Sequence, residues 1–203
     1  MFLDPRRPLP TCSAKTCEGC RVGVQCHFRA TDLIAFFAVF LPTILVGGMG
    51  AYLAGIWWLG LWVILLTGYF GFIEIRVLCS HCPHYAEAGP TLRCWANHGM
   101  PRLWRYRPGP MSISEKIVFL GGLVVCFGYP IPLLLIGAEW FLLVLYLSTL
   151  FGFAMTLNRS FCARCMNIAC PFNGVDEQVR TDFLGRNPII AQAWNGFNGR
   201  DPE

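Results

Sequence analysis

A polar loop in the middle of the chain carries the residues best suited to bind a metal. Three cysteines and three histidines fall within the twenty residues from Cys79 to His98. Thiolate and imidazole are ligands that zinc and iron prefer, and the Cys79-x2-Cys82 spacing lets a tight turn direct two sulfurs at one ion. With Cys94 and His98 these residues have the spacing of a tetrahedral Cys3His site, and the loop offers two further imidazoles, His81 and His84.

A second group of cysteines lies near the amino terminus. It comprises Cys12, Cys17, Cys20 and Cys26, followed by His27. The first three cysteines resemble, in spacing only, the loop that holds the iron–sulfur cluster of plant-type ferredoxins, whose fourth cysteine lies further away. We therefore predict metal ligation by this group.

A third group, Cys162, Cys165 and Cys170, lies near the carboxyl terminus and ends in a Cys-Pro pair. Such a pair also closes cysteine runs of bacterial iron–sulfur motifs, although the spacing here differs. Three sulfurs need a fourth ligand from elsewhere, for which His81 and His84 are candidates.

Three kinds of chemistry fit these groups. Structural zinc would tie the polar segments together, iron–sulfur clusters would transfer electrons, and free thiols would serve redox reactions or carry soft metals. Haem is not expected, because the apolar spans hold no histidine and no Cys-x2-Cys-His motif occurs. No catalytic residues or phosphate-binding loop are indicated.

The elements that must position these ligands are membrane helices. The 203 residues are 55% hydrophobic and 14% charged, with a mean hydropathy of +0.48, which is typical of an integral membrane protein. Apolar runs of membrane-spanning length predict an all-α protein with four transmembrane helices in two hairpins. The predicted spans are Leu33–Leu53, Ile56–Ile75, Ile117–Ile136 and Ala138–Leu157.

Several local signals refine this prediction. Thr31 and Asp32 are expected to cap the first helix, and Ser112-x2-Glu115 is a capping box before the third. Tyr129-Pro130-Ile131-Pro132 should kink that third helix. Gly47, Ala51 and Gly55 form a stripe of small residues on the first helix. Trp57, Trp58 and Trp62 are expected at a membrane interface.

The predicted organisation therefore alternates cysteine-rich segments with helical hairpins. A short helix at 176–184 and an amphipathic piece containing Ile189, Ile190 and Trp194 are expected in the last segment. In order, the segments are an amino-terminal segment 1–31, hairpin 32–78, loop 79–114, hairpin 115–157 and carboxyl-terminal segment 158–203.

The charge distribution predicts the orientation. With four spans, every Lys and Arg lies on one face, and the connections on the other face carry only Glu139. The positive-inside rule places the basic face, with both termini, in the cytoplasm, so the protein is expected in the cell (inner) membrane. Because the cytosol keeps thiols reduced, metal ligation is favoured over disulfides. Glu74 and Arg76 are read as the boundary of the second span.

The sequence thus predicts a membrane-anchored metal–thiolate protein of the iron–sulfur type, with a cysteine-rich cytoplasmic cap. It would pass electrons between a cytoplasmic protein and a partner subunit or a membrane quinone, as a redox subunit or accessory protein rather than a stand-alone enzyme. The alternatives are a zinc-stabilised adaptor and a carrier of soft metal ions.

Arginines mixed with aromatic residues in the central loop favour contact with lipid headgroups over nucleic acid. The motif Arg-x2-Cys-x2-Cys occurs at Arg76 and at Arg159, which indicates a weak internal repeat.

Overall fold

The computed structural model describes residues 23–87 and 89–197, which form helices joined by loops. Four helices are long and apolar enough to cross a membrane, and two short helices follow them. The predicted helical class and the four apolar helices are thus confirmed. The helices are α1 (Ala30–Ala54), α2 (Ile56–His81), α3 (Ile113–Ile136), α4 (Trp140–Arg164), α5 (Glu177–Arg186) and α6 (Pro188–Phe197).

The helix starts differ from the prediction for local reasons. The predicted capping box at the start of α3 is confirmed: Ser112 Oγ accepts from the Glu115 amide at 3.3 Å, and Glu115 Oε2 accepts from the Ser112 amide at 3.0 Å, so the helix begins at Ile113, four residues before the apolar run from Ile117. Helix α4 begins after Ala138, whose positive φ of 52° is incompatible with a continuing right-handed helix.

The predicted cap of α1 is wrong. The helix begins at Ala30, with Arg29 at the N-cap position and no side-chain hydrogen bond to cap it. Asp32 instead accepts a hydrogen bond from the Gln25 side chain. The carboxylate therefore ties the preceding segment to the helix rather than satisfying the helix amides.

Helix α3 is interrupted at Tyr129, between Ile113–Gly128 and Pro130–Ile136. Because Pro130 has no amide hydrogen, the carbonyl of Cys126 lacks its usual helical partner. The indole of Trp62 donates to that carbonyl at 2.8 Å and is only 1% exposed. Trp62 therefore packs inside the bundle, whereas Trp57 is 88% exposed, and the position of these tryptophans at a membrane interface stays a prediction.

Helix α1 packs against α2, α4 and the end of α3 through small residues. A Cβ at Gly47 would lie 2.8 Å from the ring of Tyr146 and 2.9 Å from that of Trp62, so only glycine fits there. Ala51 is fully buried, as the small stripe predicts. Gly55 lies outside this contact, in the connection to α2, with φ 134°.

The two hairpins repeat with a constant spacing. Helices α1 and α3 begin at Ala30 and Ile113, and α2 and α4 end at His81 and Arg164, which in both cases is 83 residues apart. The two Arg-x2-Cys-x2-Cys motifs have the same spacing. Each hairpin therefore starts and ends at the same end of the bundle, and brings its cysteine motif to that end.

Candidate metal centre

Each Cys-x2-Cys motif is held in a turn at the end of a long helix. Residues Cys79–His81 and Cys162–Arg164 are single 3-10 turns that finish α2 and α4. The amide of Cys82 donates to the Cys79 carbonyl at 2.9 Å, and that of Cys165 donates to the Cys162 carbonyl at 3.4 Å. Cys82 (φ −74°, ψ 136°) and Cys165 (φ −75°, ψ 129°) also share a backbone conformation. The repeat in sequence is thus a repeat in local geometry.

Both turns face one cavity of about 970 Å³, which we call the central cavity. It draws cysteines from the central loop and the carboxyl-terminal segment, together with His84 and His98. The cysteines that line it are Cys79, Cys82, Cys94, Cys162, Cys165 and Cys170. All six are free thiols. Two of the three predicted ligand groups therefore meet in space.

Burial determines the protonation of these thiols. It raises the pKa of Cys165 to about 11 and those of Cys94 and Cys170 to about 12, and neighbouring thiols add to the rise. The pKa of Cys82 is raised well above its ordinary value by burial and then by Cys165 and Cys94. Without a cation the thiols are neutral, so a metal would have to displace their protons to bind thiolates.

Asn97 donates two hydrogen bonds to cysteine sulfurs. Its backbone amide lies 3.1 Å from Cys94 Sγ, and its side-chain amide lies 3.3 Å from Cys79 Sγ. Sulfur-directed donors stabilise negative charge on thiolates and help to set the reduction potential of iron–sulfur clusters. Asn97, which no motif in the sequence marks, joins the first turn to the loop that carries Cys94.

The histidines have different surroundings. His81 lies outside the cavity lining: Nδ1 is 3.1 Å from the Gly109 carbonyl, and Nε2 is 3.3 Å from Glu115 Oε2. His84 lines the cavity while its Nδ1 lies 2.9 Å from Glu87. His98 also lines it and stacks on Phe28 at 3.9 Å. His84 and His98 are thus better placed than His81 to supply a ligand.

The amino-terminal segment reaches the second cysteine turn. The amide of Gln25 donates to the Arg164 carbonyl at 2.9 Å, beside Cys165. Cys26 is buried in an apolar cluster that includes Cys82, and His27 Nε2 is buried without a hydrogen-bond partner within the described residues. The other members of the predicted amino-terminal group, Cys12, Cys17 and Cys20, lie outside the residues that the structure describes.

The lining residues do not converge on a single point. Within residues 23–87 and 89–197, no three His, Cys, Asp or Glu side chains are close enough together to hold one metal ion. The predicted Cys3His set of Cys79, Cys82, Cys94 and His98 therefore shares the wall of the central cavity without forming a closed tetrahedral site.

Glu74 is a further polar residue of the cavity that the sequence did not identify. Helix α2 continues past it to His81, so it lies within the helix rather than at its boundary. It lines the central cavity, as do Phe70 and Leu78, four residues before and after it. These three residues are spaced four apart and lead to the first cysteine turn, and this spacing is the signal that could have placed Glu74 on the same side of the helix. Its neighbour Arg76 instead pairs with Glu115 at 3.5 Å.

Comparisons with known proteins give no assignment, since no protein-family model, curated protein or solved structure matches the chain.

Proposed function

We propose that this protein is a membrane-anchored metal–thiolate protein of the iron–sulfur type that transfers electrons at the cytoplasmic face of the cell membrane. The observation that carries the proposal is the gathering of six free thiols from two separate segments around one cavity, at one end of four apolar helices. Its partners would be a soluble or membrane redox protein and the quinone pool.

The donor set favours iron–sulfur over a single zinc ion. Cysteine sulfurs outnumber the two histidines on the cavity wall, and iron–sulfur clusters are held mainly by thiolates. A multi-iron cluster holds its cysteines further apart than one tetrahedral ion does, which suits thiols that surround a cavity without converging. Cys79, Cys82, Cys162 and Cys165 are the residues that would ligate it, with Cys94 and Cys170 as additional ligands. Such a cluster would supply one-electron chemistry.

The orientation follows from charge. The end of the bundle that carries the cysteine turns also carries the arginines of the central loop, whereas the tight connections at the other end have only Glu139. The positive-inside rule makes the cysteine end cytoplasmic. There the thiols stay reduced and are able to bind metal.

The test is anaerobic purification followed by iron, sulfide and zinc analysis and EPR spectroscopy. We expect iron and acid-labile sulfide, with an EPR signal on reduction. Cys82→Ala and Cys165→Ala should lose iron. Cys126→Ala should retain it, because that thiol is buried in α3 away from the cavity lining. Zinc alone would overturn electron transfer in favour of the zinc-stabilised adaptor, and absence of bound metal would overturn the metal–thiolate assignment.

A further inference from the structure

The central cavity extends from the cysteines into the space between the apolar helices. Its walls there are aromatic and come from all four long helices. Neighbouring rings touch, with centroids 5.4 Å apart between Phe40 and Phe153 and 6.1 Å apart between Phe70 and Phe127. The aromatic wall residues include Phe36, Phe40, Phe70, Phe127 and Phe153.

The cavity has matching walls from the two hairpins. Residues 83 positions apart, one from each hairpin, line it together, so it lies between the two halves of the repeat. Three such pairs are Phe36 with Phe119, Phe70 with Phe153 and Cys79 with Cys162. Its shape therefore comes from the architecture of the bundle rather than from one poorly packed side chain.

Thr67 lines the cavity with its hydroxyl donated to the Val63 carbonyl at 2.8 Å, and most other polar side chains of the lining lie at the end near the cysteines. Glu74 lies there and hydrogen-bonds to Asn97, whose side chain also donates to Cys79 Sγ. No Lys, Arg or His of residues 23–87 and 89–197 forms an ion pair with Glu74. A carboxyl group beside an apolar cavity, without a cationic partner, is available to a ligand.

We infer that the central cavity binds the headgroup of a lipid-soluble quinone or quinol. Phenylalanine side chains line the part of the cavity between the helices and offer an apolar surface to a flat ring, and the Glu74 carboxyl group can donate to a quinone carbonyl when protonated or accept from a quinol hydroxyl. The whole cavity, about 970 Å³, lies within the range of small-molecule sites, about 300–1,000 Å³; its cysteine end would hold the proposed cluster, and the part between the apolar helices would take the quinone ring. The choice of a quinone over other flat lipophiles rests on the proposed electron-transfer function.

The route for the tail is on the outer surface of the bundle. Phe37 of α1 and Phe151 of α4 line the cavity and are also 40% and 68% exposed. The cavity thus reaches the surface that faces lipid, between two helices that pack against each other. A fatty acid would also fit these apolar walls, and its carboxyl group could hydrogen-bond to Glu74, so oleate serves as the competitor in the test.

Gly71 is a position at which a larger side chain would fill the cavity without disturbing the fold. Gly71 lines the cavity, and a Cβ there would have only Met100 Cε near it, at 4.0 Å. Gly71→Leu should occupy the cavity. Gly60→Leu is the matched control on the same helix, because Gly60 has no atom within 4 Å of its Cβ position and does not line the cavity.

The experiment measures binding of decylubiquinone in detergent micelles by quenching of tryptophan fluorescence, since Trp95 lies on the cavity wall. We expect saturable quenching, most of it lost in Trp95→Phe. Gly71→Leu and Glu74→Leu should each raise the Kd about tenfold, as expected for a blocked site and for the loss of a hydrogen bond that the protonated carboxyl group donates to a quinone carbonyl. Gly60→Leu should bind normally.

The outcomes distinguish this inference from the proposed function. Quenching that does not saturate, or is unchanged in Gly71→Leu, would overturn the quinone site even if iron and sulfide are present. Equal displacement of decylubiquinone by oleate and by decylubiquinol would show a lipid cavity and likewise overturn it. Saturable binding that depends on Glu74 in protein containing only zinc would overturn electron transfer while supporting the site.

Discussion

Replacing Gly122 by alanine tests how α2 packs against α3. A Cβ at Gly122 would lie 1.9 Å from Cε2 and 2.4 Å from Cδ2 of Tyr69, whereas ordinary contact begins at 3.4 Å. The ring would therefore have to move by about 1.5 Å, the difference between 3.4 Å and 1.9 Å. It has little room to do so, because Tyr69 is 4% exposed and its hydroxyl donates to the Phe119 carbonyl at 2.5 Å.

The cost of this change can be worked out from the two contacts. Overpacking costs about 1–3 kcal/mol, and loss of the tyrosine hydrogen bond adds about 1 kcal/mol. The sum is about 2–4 kcal/mol, and the better helix propensity of alanine offsets about 1 kcal/mol of it. Gly121→Ala is the matched control: it gains the same propensity, and no atom lies within 4 Å of its Cβ position.

The assay is thermal unfolding in detergent micelles, followed by circular dichroism. At about 2–4 °C per kcal/mol, Gly122→Ala should melt about 4–16 °C below Gly121→Ala. Adding Tyr69→Leu to Gly122→Ala should destabilise less than the two single changes combined, because the clash is removed. Equal melting temperatures for the two alanine variants would refute the packing of Tyr69 on Gly122.

Three further predictions follow from the helix cap, the sulfur hydrogen bonds and the buried thiols. Ser112→Ala should lower the free energy of unfolding by about 1 kcal/mol, because the capping box is lost, whereas Ser114→Ala should have little effect; equal losses in denaturant titrations would contradict this. Asn97→Ala should make the reduction potential of the proposed cluster more negative in EPR-monitored redox titrations, since the donor to Cys79 Sγ is removed, and an unchanged potential would argue against that contact. Zinc, used as a probe ion, should bind the metal-free protein more weakly as pH falls, because thiols whose pKa is raised to about 11–12 must release protons. Calorimetry in buffers of different ionisation enthalpy should count those protons, and the absence of proton release would exclude thiolate ligands.

The sequence was sufficient to predict the four apolar helices, because apolar runs of that length have few alternatives. It also placed the cap at Ser112, a local interaction between residues three positions apart. The start of α4 and the cap of α1 were predicted less well. Ala138 adopts a positive φ, and Asp32 is engaged by Gln25, and neither feature has a signature in composition or periodicity.

The site was predictable as a set of residue types but not as an arrangement. Spacing identified the cysteines of both turns, yet it could not tell His81 from His98. The difference arises from Gly109 and Glu115, more than twenty-five residues from His81, which hold its ring outside the cavity lining. The burial of Trp62 could not be predicted for a similar reason, since its partner is a carbonyl freed by a proline on another helix.

The backbone hydrogen bond from Gln25 to Arg164 bears on how the protein matures in the cell. It joins a residue made before the first apolar helix to the last residue of the fourth, so it forms only once the ribosome has completed the fourth helix. The thiols around the central cavity extend to Cys170, beyond that point. Loading of the proposed cluster would therefore be a late event in biogenesis. Nascent chains arrested before Cys162 would lack the half of the thiol set that the second turn and Cys170 provide.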